Sequence, residues 1–267
     1  MVLAIGGHDP CGGAGIQADI ESIGANGCHA ASVVTCLTIQ DSCNVSRLIP
    51  IPPDTITAQA QAVIDDCPVA VIKIGLLGSL SAAEAVVALL RENPHQPVVF
   101  DPVLAAGGGR DLANDSLLPL LRRELLPCCS LVTPNTGEAS RLAGSEAEGV
   151  IDNDGRALLG LGPQAVLITG THDQSRPSEV ANRLYQADKS PIVSVCPRLA
   201  GEFHGSGCTL AAAIAAAMAR GEGIEEAVRQ GLEYSWMSLR HGFRLGKCQS
   251  MPERLFKYPR QKPEDDE

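Results

Sequence analysis

The sequence predicts an α/β fold with a parallel-rich sheet, and three observations lead to that prediction. Short runs of β-branched residues alternate with helical stretches, which is typical of a sheet covered by helices on both faces. Hydrophobic residues make up 45% of the chain and charged residues 19%, a balance typical of a packed globule. The length of 267 residues fits one domain, so we expect a single domain over residues 1–267.

Seven β-branched runs are strand candidates: 2–5, 31–37, 69–74, 98–100, 131–133, 165–169 and 192–195. Between them, residues 82–91 and 117–125 are typical of helices. The clearest helix is predicted over 209–220, which is rich in alanine and is followed by Gly221. The next helix has an apolar stripe at three- and four-residue steps, formed by Ile224, Val228, Leu232, Trp236 and Leu239. Residues from about 250 to 267 carry three prolines and many charges, which predicts a loose tail.

The formal net charge of -10 argues against a long basic surface, so we expect no nucleic-acid partner. An anion site in such an acidic chain needs local positive potential from backbone N–H groups or a bound metal. No segment approaches the roughly 20 consecutive apolar residues of a membrane span, so we expect no membrane association. The N-terminal residues lack the basic and apolar regions of a secretory signal.

The ten cysteines are irregularly spaced, and Cys128 and Cys129 form the only pair close in sequence. Small secreted disulfide scaffolds are short and loop-rich, whereas a chain of this length can bury a large core without bridges. We therefore expect mostly reduced, buried thiols in a cytoplasmic protein.

The strongest chemical signal is the run from His204 to Thr209, which is rich in glycine and opens the predicted helix 209–220. A glycine loop at a helix N-terminus presents unpaired N–H groups at the positive end of the helix dipole, and this arrangement suits phosphate. Gly205 and Gly207 would let the backbone approach an anion closely. The alternative is an ordinary loop–helix junction capped by Thr209.

A second glycine cluster follows the first predicted strand, with five glycines among residues 6–15. It matches neither a Walker loop nor a dinucleotide fingerprint, but it implies a backbone that closes tightly on a ligand. Asp19 follows in the first turns of a predicted helix. Its alternative role is simply a favourable charge near the helix N-terminus.

Two further polar clusters lie at predicted strand ends. Asp101 follows the run 98–100, and its alternative role is a turn residue before proline. Asn135 and Glu138 follow the run 131–133, and they would equally suit a helix start with Glu138 in a capping box. Because ligands bind outside the carboxyl ends of strands in open α/β sheets, four such clusters together favour a site.

In this order, the clusters resemble the hydroxymethylpyrimidine and phosphomethylpyrimidine kinases of thiamine biosynthesis, within the ribokinase-like superfamily. The resemblance covers residues 5–240, and its carriers are 7–19, 37–41, 73–77, 101–103, 133–139 and 204–210. It implies a ribokinase-like three-layer sandwich with a mainly parallel central sheet. It also implies a kinase that uses ATP and Mg²⁺ to phosphorylate the hydroxymethyl group of 4-amino-5-hydroxymethyl-2-methylpyrimidine, and a homodimer. Whether the monophosphate is phosphorylated as well stays open.

The resemblance also implies the roles of residues at the substrate end. Gln40 is the amide that pairs with the edge of the pyrimidine ring, since an amide offers a donor and an acceptor together. The other substrate positions are Gly7, Ala14, Asp19, Leu76 and Val103, with Leu76 where methionine is expected.

At the phosphate end, the resemblance implies that Asn135 and Glu138 organise metal-bound water and the nucleotide phosphates. Glu138 would hold the metal through water, and Asp101 is a second candidate ligand and a nucleotide contact. Thr169 and Gly170 are further implied nucleotide contacts.

The anion hole for the transferred phosphoryl group would consist of Gly205, Ser206 and Gly207. Cys208 is implied to take the hydroxymethyl proton. A thiol at a helix N-terminus can have a lowered pKa, so we expect Cys208 to act as a base near neutrality. The alternative is a small buried hydrophobe.

Two departures from the family pattern concern the nucleotide. Thr169 stands where the family often has lysine, and residues 245–247 replace its usual segment of glycine and proline. Two other functions stay open: a pyridoxal kinase, which shares the fold and the cysteine, and a non-catalytic pyrimidine sensor that has lost a charged nucleotide contact.

Overall fold

The computed structural model describes residues 1–105, 116–145, 150–171 and 177–258. Within these ranges the chain forms a nine-stranded sheet of order β3-β2-β1-β4-β5-β6-β7-β8-β9. The strands are β1 Val2–His8, β2 Ala30–Gln40, β3 Val45–Pro50, β4 Val71–Ile74, β5 Val98–Phe100, β6 Leu131–Val132, β7 Ala165–Ile168, β8 Glu179–Gln186 and β9 Ile192–Pro197. The helices are α1 Gly15–Ala25, α2 Pro53–Asp66, α3 Leu80–Glu92, α4 Leu117–Leu120, α5 Thr136–Ala143, α6 Ile151–Leu159, α7 Ser206–Ala219 and α8 Ile224–Arg240.

The six strands from β2 to β7 in the middle of the sheet run parallel, whereas β3, β8 and β9 join the sheet through antiparallel pairs. The predicted α/β fold with a mainly parallel sheet is therefore confirmed. Parallel order places the carboxyl ends of β1, β4, β5, β6 and β7 at the same edge, where ligands bind in open α/β sheets.

Helices cover both faces of the sheet, and β1 shows why. Its successive side chains point to opposite faces, and both sets are buried: Leu3 and Ile5 join the core under α2 and α3, while Val2 and Ala4 join the core under α1, α7 and α8. Two hydrophobic cores thus flank one sheet, which gives the three layers.

All seven predicted strands exist, but the prediction missed β3 and β8. The edge strand β3 has little buried surface, so its alternation of apolar and polar residues is weak. In β8, polar side chains stand beside buried apolar ones, and one of them, Asn182, is itself buried and accepts a hydrogen bond from the Gly170 N–H. Neither strand shows the apolar run that identifies a central parallel strand.

The predicted helices need two corrections. The helix predicted over 117–125 is α-helical only to Leu120, and it continues as a π-helical turn over Leu121–Leu125. Helix α7 begins at Ser206, three residues earlier than predicted, and ends as expected before Gly221, whose φ is +95°. The α8 stripe only partly faces the core, because Trp236 and Leu239 line a cavity and Leu232 contacts both the cavity and the core.

The predicted loose tail is wrong for the residues up to 258. Met251 and Arg254 are buried, and the Phe256 ring lies against the rings of Tyr234 and His241. These contacts hold the segment against α8. The remainder of the predicted tail, residues 259–267, lies outside the described residues.

The prediction of reduced thiols is correct for eight cysteines and wrong for Cys43 and Cys248, which form a disulfide. The prediction of burial holds only for Cys36 and Cys129 among the free thiols. The disulfide joins the turn between β2 and β3 to the C-terminal segment across 205 residues. A single sequence does not reveal such a distant partner. In the described parts of the chain, no helix has the length and apolarity needed to cross a membrane.

Candidate active site

A cavity of about 580 Å³ opens at the carboxyl ends of the parallel strands and at the first turn of α7. It brings together almost all of the residues that the sequence singled out: Gly7, Ala14, Asp19, Gln40, Leu76, Asp101, Val103, Asn135, Glu138, Thr169, Gly205, Ser206, Gly207 and Cys208. Gly170 is the exception. A Cβ at Gly170 would lie 2.1 Å from the carbonyl oxygen of Ala181, so this glycine faces β8 and does not line the cavity.

Gly205 forms the turn that starts helix α7. Its φ of +78° lies in the left-handed region that favours glycine, and its carbonyl accepts hydrogen bonds from the N–H and the hydroxyl of Thr209. A Cβ at Gly205 would lie 1.9 Å from the carbonyl oxygen of Gly13. The two glycine loops therefore meet backbone against backbone, directly before the unpaired N–H groups of the α7 N-terminus.

Asp9 and His204 hold the same two loops together. His204 Nε2 lies 2.9 Å from Asp9 Oδ2, and Asp9 also accepts the N–H groups of Cys11 and Ala14 at 2.8 Å each. Burial raises the pKa of Asp9, but hydrogen bonds from His204, Gln40 and Cys11 outweigh it and lower the pKa to about 2. Asp9 is thus a permanent carboxylate that fixes the glycine loop and contacts the Gln40 amide.

Asp19 does not project freely into the cavity as a substrate contact would. Its carboxylate forms an ion pair with Lys73, 2.8 Å from Nζ, and both side chains are only 1% exposed. Burial lowers the pKa of Lys73, but Asp19, Cys208 and Asp101 together raise it above its ordinary value, so the ammonium stays charged. A Cβ at Gly75 would lie 2.8 Å from Nζ, so Gly75 leaves room for this buried cation.

Asp101 and Cys208 are neighbours on the floor of the cavity. The Cys208 thiol and the Asp101 carboxylate lie close enough for each to shift the pKa of the other. Burial raises the pKa of Asp101 to about 6, although Lys73 acts in the opposite direction. Burial likewise raises the pKa of Cys208 to about 12, even though Lys73 lowers it. The expected lowering of the Cys208 pKa by the helix is therefore wrong, because desolvation outweighs the helix terminus.

Asn135 and Glu138 form a capping box at the start of α5. The Asn135 side chain accepts the Glu138 N–H, and the Glu138 side chain accepts the Asn135 N–H, both at 2.9 Å. Burial and the nearby Asp101 raise the pKa of Glu138 to about 8. The capping role that the sequence suggested is thus real, and the same carboxyl also faces the cavity.

Polar and charged residues at or near β7, β8 and β9 also line the cavity. Arg198, directly after β9, lines the cavity and donates to the carbonyl oxygens of Thr171 at 2.6 Å and Glu179 at 3.1 Å. Thr169 lies in the same wall, paired with Asn135 in a short parallel bridge. No sequence pattern identified Arg198, since it stands between an edge strand and a loop.

Asp9, Lys73 and His204 lie within the sequence motifs, but the sequence predicts no role for them. The position of Lys73 in an otherwise apolar strand could have predicted a buried ion pair, because a buried lysine needs a charged partner. The sequence does not show which residues pair with each other. Asp9 and His204, for example, are 195 residues apart and come into contact only in the folded protein.

Most of the chain matches a known enzyme family. A family model described as phosphomethylpyrimidine kinase matches residues 9–252. The chain belongs to the phosphomethylpyrimidine kinase family. It is therefore a kinase.

Two curated relatives of this kinase have the same name, hydroxymethylpyrimidine/phosphomethylpyrimidine kinase. The protein of Haemophilus influenzae is 34% identical over 251 residues, which cover 92% of this chain and 93% of its own. The protein of Salmonella typhimurium is 38% identical over 242 residues, which cover 88% of each chain.

Two solved structures are similar to the kinase over most of its length. The ADP complex of Bacillus subtilis pyridoxal kinase superposes with a TM-score of 0.87 at 28% identity, covering 95% of this chain and 96% of its own. The phosphomethylpyrimidine kinase of Clostridium difficile gives 0.76 at 31% identity, covering 89% and 98%. These structures confirm the fold, and the family supports the use of ATP.

The raised pKa of Glu138 makes a testable prediction about stability. Because its folded pKa of about 8 exceeds the ordinary 4.5, the stability it contributes is complete below pH 4.5 and is lost as pH rises through about 8. Glu138→Gln keeps a capping side chain but cannot titrate. The measurement is made with a chelator present, so that no metal binds. The difference between the unfolding free energies of the natural kinase and of Glu138→Gln should then fall as the pH rises from about 5 to about 8. Urea denaturation measures it, and a flat or rising difference would contradict the burial of a titrating carboxyl.

Proposed function

We propose that this kinase transfers the γ-phosphoryl group of ATP to the hydroxymethyl group of 4-amino-5-hydroxymethyl-2-methylpyrimidine. One observation carries the proposal: a single cavity holds the Gln40 amide, the α7 anion loop and the Cys208 thiol. A ring with a polar edge, a phosphoryl group and a hydroxyl proton each have a matching group there. Phosphoryl transfer needs chiefly such alignment and charge stabilisation.

At the substrate end, Gln40 orients the ring. Its amide lies near the Asp9 carboxylate. The amide carbonyl and N–H groups offer the acceptor and the donor that an aminopyrimidine edge needs. The apolar walls around the ring come from Gly7, Leu76 and Val103. A Cβ at Gly7 would lie 3.0 Å from the Leu76 side chain, so a larger residue there would displace this wall. Asp19 acts indirectly in this proposal, by holding Lys73.

At the phosphate end, the first turn of α7 stabilises the transferred phosphoryl group. The N–H groups of Ser206 and Gly207 lie at the positive end of a 14-residue helix. The Lys73 ammonium lies beneath them, and its ion pair with Asp19 offsets part of its charge. Burial makes the remaining attraction for phosphate stronger than it would be in water. Thr169 and Arg198 contact the nucleotide from the β7 and β9 side.

The donor set of the cavity fits Mg²⁺. In the described residues, no three His, Cys, Asp or Glu side chains stand close enough together to hold a metal. Mg²⁺ does not need such a cage, because it commonly binds one or two carboxylates together with phosphates and water. Glu138 accepts the Asn135 N–H at Oε2 and the Leu104 N–H at Oε1. Its carboxylate would also hold a metal-bound water, and the metal, when bound, would neutralise the charge of the phosphates.

The hydroxyl proton passes through Cys208 to Asp101. A protonated thiol cannot accept a proton unless it loses its own, and the neighbouring Asp101 carboxylate can take that proton. As the substrate O–H bond breaks, its proton binds Sγ, the Sγ proton binds the Asp101 carboxylate, and the oxygen bonds to the γ-phosphorus as ADP leaves. The Asp101 pKa of about 6 leaves the carboxylate available near neutrality. We therefore assign the proton, not the metal, to Asp101.

The second candidate acceptor is pyridoxal, and the similarity to the Bacillus subtilis pyridoxal kinase favours it. A side-by-side assay separates the two: kcat/KM for the hydroxymethyl pyrimidine, for its monophosphate and for pyridoxal, each with ATP and magnesium. We expect the highest value for a pyrimidine. Preference for pyridoxal would establish the alternative, and no transfer to any acceptor would contradict a catalytic function altogether. Turnover of the monophosphate would add the second phosphorylation.

Cys208→Ala tests the proton route. Alanine leaves the helix terminus and Lys73 in place, so ATP should still bind, while kcat should fall by roughly 10²–10⁴, the usual worth of a general base. Cys208→Ser is the matched control, because a hydroxyl can pass a proton between the same two partners and should retain more activity than alanine. Aspartate suits this site poorly, since it would bury a third carboxylate beside Asp19 and Asp101. Near-native kcat in Cys208→Ala would remove Cys208 from the proton route.

A further inference from the structure

The C-terminal segment contributes a buried arginine that reaches the back of both glycine loops. Arg254 is 2% exposed and lies two residues beyond the stretch 9–252 that matches the family model. Its backbone carbonyl accepts the Tyr234 hydroxyl at 2.8 Å, which anchors the segment to α8. The Arg254 backbone is thus anchored to α8, while its side chain extends into the protein interior.

The guanidinium binds three separate parts of the chain. Nη1 donates to the Gly12 carbonyl at 3.1 Å and pairs with Glu21 of α1 at 3.0 Å, while Nη2 donates to the Gly13 carbonyl. Nε donates to the Thr209 hydroxyl at 2.9 Å. Four acceptors around one guanidinium suit the rigid fork of arginine and no other side chain.

Two of these bonds lead directly to Gly205. The Thr209 hydroxyl that accepts from Arg254 donates in turn to the Gly205 carbonyl at 2.8 Å. The Gly13 carbonyl is the atom against which Gly205 packs. Arg254 therefore fixes the anion loop from both sides without lining the cavity itself.

We propose that Arg254 is a positioning residue for phosphoryl transfer, which sets the two glycine loops at the separation that aligns acceptor and γ-phosphate. The proposal rests on the kinase activity of the family and not on the identity of the acceptor. Loss of the fork lets the loops shift, and a displacement of about 1 Å far from the chemistry can cost on the order of 10²-fold in rate.

Arg254→Lys is the decisive variant, because it keeps the charge and most of the volume but offers a single ammonium in place of the fork. Its kcat should fall at least about ten-fold, while KM for ATP and for the acceptor stay within about three-fold. Arg254→Met, which also removes the charge, should lower kcat further. Arg229→Ala is the matched control, since this exposed arginine of α8 pairs only with Glu226 and Glu233 in the described structure.

Melting temperatures are recorded for all three variants, and kinetics are measured below the lowest of them with whichever acceptor the natural kinase prefers. A native kcat with a lowered melting temperature in Arg254→Lys would show that Arg254 stabilises the fold without affecting catalysis. That result would overturn the proposal. Failure of Arg254→Lys to fold, or a rise in KM alone, would overturn it as well. Absence of activity in the natural protein would count against the proposed function instead.

Discussion

The proposed active site depends on one close approach, the contact between the carbonyl of Gly13 and the Cα of Gly205. It joins a loop that follows β1 to a loop that follows β9, so residues almost 200 positions apart share one cavity wall. Only glycine permits it, since a Cβ at Gly205 would lie 1.9 Å from the Gly13 oxygen. The Asp9–His204 pair and Arg254 each fix this contact from a different side.

Burial of charge explains how an acidic chain could form the proposed anion site. The net charge of -10 repels phosphates at long range. Within the cavity, however, the floor holds the charged Lys73, and desolvation pushes Asp101 and Glu138 towards their neutral forms. The low dielectric that raises these pKa values also strengthens the attraction of Lys73 and the helix terminus for a phosphoryl group. A cation at Glu138 would reverse its shift, so metal binding and deprotonation are coupled.

The sequence predicted the fold and most of the residues that line the cavity, because both follow from local patterns. Apolar runs identify central parallel strands, and glycine and polar clusters mark their carboxyl ends. What the sequence did not predict depends on long-range pairing: the partner of Lys73, the disulfide of Cys43, and the burial of Arg254 in a segment whose prolines and charges resemble a tail. The predicted lowering of the Cys208 pKa was wrong for another reason. The helix N-terminus can be read from the sequence, but the desolvation that dominates this pKa cannot.

The most direct test of this account is the kcat of Gly205→Ala compared with that of Gly27→Ala. Both glycines have a φ of +78°, but a Cβ at Gly27 meets nothing within 4 Å, whereas one at Gly205 collides with Gly13. Both variants should lose the roughly 1 kcal/mol or more of stability that positive φ costs a side chain. If the loop contact sets the site, only Gly205→Ala should lose most of its kcat while keeping a native circular dichroism spectrum. Equal kcat values for the two folded variants would contradict the account.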